Sequence, residues 1–278
     1  MLMAQTVNIG TWLSNIANLM TALLAVAAIL GATRGVWRRT VAKRARFKSA
    51  LNHLGVGMNP TYVDSLLGRA AMGSLTTDAD GTMTWVSAHG YVSVSFRRGY
   101  AVQVAVTVTD PILRFDVGQL TFDQLRGRLG DRIAPSFGEA AAGYYYSLGA
   151  RRQWSLIGYF FGNPGGYLYY ALAHNDASPL GRSASMGPSA SPSAYTQGIF
   201  SDPEEVCPID RAFERRLARE MIPNTLILRT AEATHFERDN FGADLDAVRL
   251  LLRETTYAER ILSWWRRRRW EKAATAAL

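Results

Sequence analysis

No Asp, Glu, Lys or Arg occurs in the first 33 residues, and the 278-residue chain holds one cysteine, Cys207. A lone cysteine excludes an internal disulfide and any zinc or iron–sulfur site built from several thiolates. It fits a reducing compartment. Nothing in the sequence around Cys207 activates its thiol, so an inert residue is expected. Histidines are also few: His53, His89, His174 and His235 lie far apart, and none stands in a His-Glu-x-x-His spacing. The chain lacks a Gly-x-Ser-x-Gly elbow, a Walker loop and a Gly-x-Gly-x-x-Gly turn after a strand. Asp78 and Asp80 precede Gly81 without the downstream Glu of a calcium loop, and read as a hairpin turn. No catalytic residue, cofactor or metal is assigned.

The uncharged start is the strongest positive signal. Residues 9–32 are apolar enough to cross a bilayer, which takes roughly 20 residues at about 1.5 Å each. The domain plan therefore begins with a transmembrane anchor over residues 1–33. Ser14, Asn15, Asn18 and Thr21 make its outer half polar. They mark either a helix–helix contact, hence self-association through the span, or a position near the outer headgroups. A secretory signal peptide carries its charge before the apolar core; here the cations follow it. The positive-inside rule then places the N-terminus outside and the bulk of the chain in the cytoplasm, in the inner membrane of a bacterial cell. Trp12 and Trp37 flank the span, and Arg34, Arg38 and Arg39 begin the cytoplasmic side.

The formal charge of +8 invites a nucleic-acid partner, but its distribution argues against one. Residues 34–48 carry seven cations and no acid, and residues 266–278 carry a net +4, which leaves residues 49–265 at −3. Basic charge beside an apolar helix is matched to an anionic lipid surface. The lipid bilayer is thus the expected partner, together with a protein partner of unknown identity.

Residues 34–54 read as a basic juxtamembrane helix, broken by Gly55, Gly57 and Pro60. A repeat follows. Residues 58–68 align with 120–130: each has an apolar residue, then Asn59 or Thr121 as N-cap, apolar residues four apart, and Leu-Gly. Pro60 fits the first helical position, and Gly68 or Gly130 permits a left-handed exit. Each predicted helix precedes three strand-like runs, at 83–88, 91–96 and 101–108, and at 144–148, 154–161 and 167–172. Tyr91, Ser93 and Ser95 alternate with Val92, Val94 and Phe96, the period of a strand with two different faces. Arg97-Arg98-Gly99 reads as a hairpin turn. The fold class expected is α+β: an anchor helix, tandem helix-plus-three-strand antiparallel units over residues 55–176, and a C-terminal helical segment.

The cap-and-glycine signature with a following tryptophan resembles the small bacterial outer-membrane assembly lipoprotein fold of the SmpA/OmlA type. Gly57-Met58-Asn59, Val63, Leu67-Gly68 and Trp85 carry the resemblance over residues 55–108, and more loosely over 119–173. It implies a helix leading into a small antiparallel sheet, and a binding-module character. The chain departs from that family in having no lipobox cysteine near its start and in its expected side of the membrane. The layout is also similar to that of bacterial single-pass membrane proteins with a cytoplasmic α+β domain.

Residues 177–200 are rich in Ser, Pro and Gly and read as a flexible loop. Residues 201–278 read as helical, with a short charged helix over 210–221 stopped by Pro223, one short strand at 226–228, and a long amphipathic helix from 244 to about 271. Its end combines Trp264, Trp265 and Trp270 with Arg266 and Arg267, a pattern of interfacial aromatics and lipid-seeking cations.

One polar cluster stands near the aromatic strands. His174-Asn175-Asp176 ends the last run, and Arg151 and Arg152 occupy the preceding hairpin. These five residues form a possible ligand cleft; turn capping by Asn175 and Asp176 is the alternative. Three functions follow: a non-enzymatic membrane-anchored binding or sensing module, a membrane effector of a bacterial defence or stress system acting through its span, or an enzyme using the His174–Asp176 cleft.

Overall fold

The structure, a computed structural model, describes residues 9–135, 143–148, 153–163, 166–175, 180–181 and 220–230. The chain divides into two compact units, Met1–Arg46 and Phe47–Leu278. Expected features at Trp12's indole, residues 177–179 and 182–200, the 210–219 helix, the 244–271 helix and the Trp264–Trp270 end lie outside the described residues.

The first unit is helical. Helix α1, Ile9–Leu51, runs for 43 residues, about 65 Å at 1.5 Å per residue. Its sequence explains this length: Ala and Leu dominate residues 22–30, and the chain meets no proline before Pro60. Leu19, Met20, Leu23, Leu24, Val26, Ile29 and Leu30 are all more than half exposed. At 100° per residue these positions, with the alanines between them, leave no polar stripe. The described side chains of this apolar stretch run over residues 18–32. Among the described residues, no helix is long and apolar enough to cross a membrane.

The second unit is α+β. The last turn of α1 buries Phe47, Ala50 and Leu51. The helix tightens as it ends, with Leu54 N–H donating to Leu51 O. Helix α2, Pro60–Leu67, follows the sequence reading closely. Asn59 caps it, its Oδ1 accepting from Tyr62 N–H at 2.8 Å, and proline occupies its first turn. Gly68 leaves it at φ +85°.

Among the described residues ten strands follow: β1 Met72–Leu75, β2 Gly81–Ser87, β3 Gly90–Arg97, β4 Tyr100–Val108, β5 Leu125–Arg126, β6 Ala134–Pro135, β7 Gly143–Leu148, β8 Gln153–Asn163, β9 Gly166–Asn175 and β10 Thr225–Thr230. Eight form one sheet in the order β1-β2-β3-β4-β10-β9-β8-β7, with every neighbouring pair antiparallel. The turn of Arg98 and Gly99 has positive φ at both residues (52° and 77°), the handedness that matches twisted strands. Strand β1 is an addition to the three strands expected after α2.

The largest departure from the sequence reading is the place of β10. The short strand expected at 226–228 forms, as Thr225–Thr230, but it joins the main sheet, pairing with β4 on one side and β9 on the other. The sheet therefore takes a central strand from outside residues 55–176. Leu226, Ile227 and Leu228 are buried on both faces there, so the short apolar run is that of an interior strand.

The second predicted helix does not form. Residues 118–124 make turns, and β5 follows. Phe122 and Asp123 adopt positive φ (50° and 59°), which ends any right-handed helix. Thr121 Oγ1 donates to Val117 O and accepts from Leu125 N–H, capping a turn instead. Residues 120–130 lack the proline that presets α2, and glycines at 118, 127 and 130 lower helix propensity.

The sheet has two unlike faces. One carries Val92, Val94, Val104, Val106, Leu172, Leu226 and Leu228, packed with the end of α1, Val63 of α2, and Phe115, Leu125 and Leu129. The other carries Ala105, Leu156, Ala171, Ala173 and Ile227, with Ser93, Gln103, Thr107 and Thr225 buried beside them. Trp85 ties the first face to α2. Its Nε1–H is shared between Asp64 Oδ1 (2.9 Å) and Gly68 O (2.8 Å). Trp85→Phe keeps most of the apolar volume but strands both acceptors. It should lower stability by about 1–3 kcal/mol in urea unfolding followed by far-ultraviolet circular dichroism; an unchanged midpoint would show the indole bonds to be idle.

Candidate functional site

Side chains on a strand alternate between faces, so His174 and Asn175 cannot share a cleft wall within β9. His174 lies on the face of Leu172 and is buried, its ring close to where a Cβ on Gly181 would sit. Asn175 lies on the opposite face with no exposure. Arg151, Arg152 and Asp176 lie outside the described residues.

Asn175 belongs to a buried polar network. Its Nδ2 donates to Tyr91 Oη at 3.0 Å, Thr225 Oγ1 at 3.0 Å and, more distantly, Thr107 Oγ1 at 3.4 Å. Thr107 and Thr225 hydroxyls are 2.8 Å apart. Asn224 completes it from the start of β10. Its Oδ1 accepts from Asn175 N–H at 3.1 Å and from the Thr225 hydroxyl at 3.0 Å, while its Nδ2 donates to Asn175 O (2.7 Å) and Leu180 O (3.1 Å). Tyr91, Thr107, Asn175, Asn224 and Thr225 are all fully buried. The network joins β3, β4, β10 and β9, so Asn175 bonds neighbouring strands in addition to any turn it helps to close. Its chemistry is that of a register lock: a slip of one residue would turn these groups onto the apolar face.

A second cluster lies at the same end of β3 and β4. His89 sits in the β2–β3 turn, and Asp110 just beyond β4. Their side chains meet at 2.8 Å, His89 Nδ1 to Asp110 Oδ2, and both are buried. The other oxygen, Asp110 Oδ1, accepts from Ile112 N–H at 2.9 Å. His89 O accepts from the backbone N–H of Thr109 and Asp110, and its ring centroid lies 6.4 Å from that of Phe47. A carboxylate orienting an imidazole is half of an acid–base apparatus. The nearest hydroxyl bonded to this residue, Ser87 Oγ, accepts from the His89 backbone rather than from its ring. Among the described residues no group of three His, Cys, Asp or Glu side chains could hold a metal. Comparison with known protein families, curated proteins and solved structures gives no match.

The sequence reading dismissed His89 on metal spacing alone. Hairpin counting would have found its partner, because pairing Gly90 with Val108 sets residues 89 and 109 side by side. Asp110→Asn retains an acceptor for Ile112 but exchanges the acceptor facing the imidazole for an amide. A loss of about 1–3 kcal/mol is expected, read from urea unfolding; no loss would show the pair to be incidental.

At the opposite end of the strands, Arg229 of β10 faces Gln103 of β4 across one register step and Tyr169 of β9 across the other. The guanidinium carbon lies 4.8 Å from the Tyr169 ring centre, a cation–π contact. Burial pulls the Arg229 pKa below its usual value, and Tyr169 acts in the other direction. Burial also pushes the Tyr170 hydroxyl up to about 12. Gln103 Oε1 is buried with no hydrogen-bond partner among the described residues. Phe160 stacks on Tyr169 at 4.9 Å and is partly exposed, so this row runs from interior to surface.

Proposed function

We propose that this protein is a membrane-tethered binding module: an N-terminal helix crosses the inner membrane, N-terminus outside, and the α+β domain binds a protein or ligand on the cytoplasmic side. The observation that carries the reading is the apolar girdle of α1. A helix apolar on every side needs either a protein interior or a lipid environment, and residues 19–30 are exposed in this chain. The uncharged stretch 1–33 followed by seven cations supports lipid and the orientation. The resemblance of residues 55–108 to small assembly lipoproteins supports binding rather than chemistry. Asn15 and Asn18 supply the polar groups for association of two such spans.

Cys207, the single thiol, reports the orientation. A membrane-impermeant maleimide added to intact spheroplasts should leave it unlabelled, and labelling should appear after lysis in detergent, with a denatured sample as control. Full labelling before lysis would place the domain outside and overturn this topology.

A further inference from the structure

One row of polar and aromatic residues crosses six strands of the sheet at a single level. Register sets Thr82 beside Ser95, Ser95 beside Gln103, Gln103 beside Arg229, Arg229 beside Tyr169 and Tyr169 beside Phe160. Partners in register share a face, so all six lie on the side of the sheet away from Val94, Val104 and Leu228. Two residues along the strands the same face carries Ser93, Ala105 and Ala171, so the floor beside the row is low. Exposure falls along the row. Phe160 is 41% exposed, Tyr169 is half-buried, Arg229 is 7% exposed and Gln103 2%. The row therefore leads from the surface to an interior end at Gln103.

That end carries an unmet acceptor. Gln103 Oε1 is buried with no hydrogen-bond partner among the described residues. Neither neighbour serves it. Ser95 Oγ bonds Thr82 Oγ1 at 3.0 Å, and no hydrogen bond joins Gln103 Oε1 to Arg229, one register step away. A buried acceptor left in this state weakens the fold, and leucine would fill nearly the same volume without that penalty. Beside it stands a guanidinium, held against the Tyr169 ring and charged at every ordinary pH.

We propose that Gln103 and Arg229 form the interior end of a site for a small protonated phosphate, either the free ion or a phosphomonoester. The two side chains make opposite demands on a ligand. Arg229 offers N–H donors and positive charge to anionic oxygens, in a planar fork that suits two of them. Gln103 Oε1 accepts the proton of the remaining P–OH. A plain carboxylate or a sulfate meets the first demand and fails the second. Neither carries a proton near neutral pH, and each would press another acceptor against Oε1. The inference gives a ligand class to the binding module proposed above. It rests on that reading in taking the α+β unit as the binder, and not on the anchor.

The test is thermal unfolding of the full chain in detergent micelles at about pH 6, where phosphate keeps a proton and sulfate does not. Both salts stabilise proteins by exclusion, so the quantity read is the difference between them at matched ionic strength. Phosphate at about tenfold over its dissociation constant should raise the melting temperature about 3 °C beyond sulfate. Gln103→Leu should melt at the same temperature or higher in sulfate, and should lose the phosphate increment. Arg229→Lys should shift the concentration dependence about tenfold toward higher phosphate, since an ammonium lacks the fork. A larger increment with glycerol phosphate than with the free ion would assign a monoester, and the reverse would assign orthophosphate. Equal shifts from phosphate and sulfate, or an increment that survives Gln103→Leu, would overturn the proposal. A chain that floats with vesicles but shows no increment would overturn this site and leave the tether standing. A chain that shows the increment but fails to float would do the opposite.

Discussion

Replacing Leu23 and Leu24 together by arginine is expected to move the full-length chain from the membrane to the soluble fraction. Both side chains are more than half exposed on α1, in the centre of the apolar stretch. At the middle of a span, exchanging leucine for arginine costs about 3 kcal/mol on the insertion scale, so the pair costs about 6 kcal/mol. That is on the order of ten-thousandfold in partition, far beyond what snorkelling from a central position recovers. The measurement is flotation after carbonate washing, with Leu23→Ile and Leu24→Ile as the control expected to stay in the membrane. Both residues lie outside the α+β unit, so the circular dichroism of the sheet should persist. If the arginine variant still floats with the lipid, α1 is not the anchor and the proposed tether fails.

The second large effect concerns Asn224. Asn224→Ala removes four hydrogen bonds at once, those to Asn175 N–H, Asn175 O, Leu180 O and the Thr225 hydroxyl, in a region with no exposure at Asn175 or Thr225. At about 0.5–1.5 kcal/mol for each, a loss of about 2–6 kcal/mol is expected, enough to unfold many domains of this size. Asn224→Asp keeps the acceptor but loses both donors and buries a charge, and should be no better. Thr225→Ser, which keeps the hydroxyl that links Thr107 to Asn224, should cost about 1 kcal/mol or less. Urea unfolding in detergent micelles gives the ordering. If the alanine variant matched the wild type, the network would be ornamental to the fold.

The elements with local causes were legible in the sequence. Asn59-Pro60 and Gly68 bound α2 because caps act within a turn, and alternation at 91–96 and 101–108 gave β3 and β4 because period two is a property of single strands. Arg98-Gly99 gave its turn for the same reason. What could not be read were the pairings that depend on distant partners. Leu226–Leu228 is too short a run to announce that it will divide the sheet in two. Residues 120–130 share a cap-and-glycine spelling with 58–68 but not the proline, and they fold as turns and a short strand instead. Of the candidate cleft, His174 and Asn175 are adjacent in the chain and therefore on opposite sides of the sheet, while Arg151, Arg152 and Asp176 lie outside the described residues. His89 and Asp110 meet only once β3 and β4 are in register.

The position of β10 also sets an order of events during synthesis. Until residue 230 leaves the ribosome, β4 and β9 are both raw edges, rich in Val, Ala and Leu and without the charges that discourage pairing with strangers. At ordinary translation speeds the interval between the end of β9 and the end of β10 is on the order of several seconds. For that time a nascent chain carries two half-sheets waiting for their wedge. Crowding several such chains together would invite strand exchange between them, so slow or dispersed synthesis should favour the single-chain sheet.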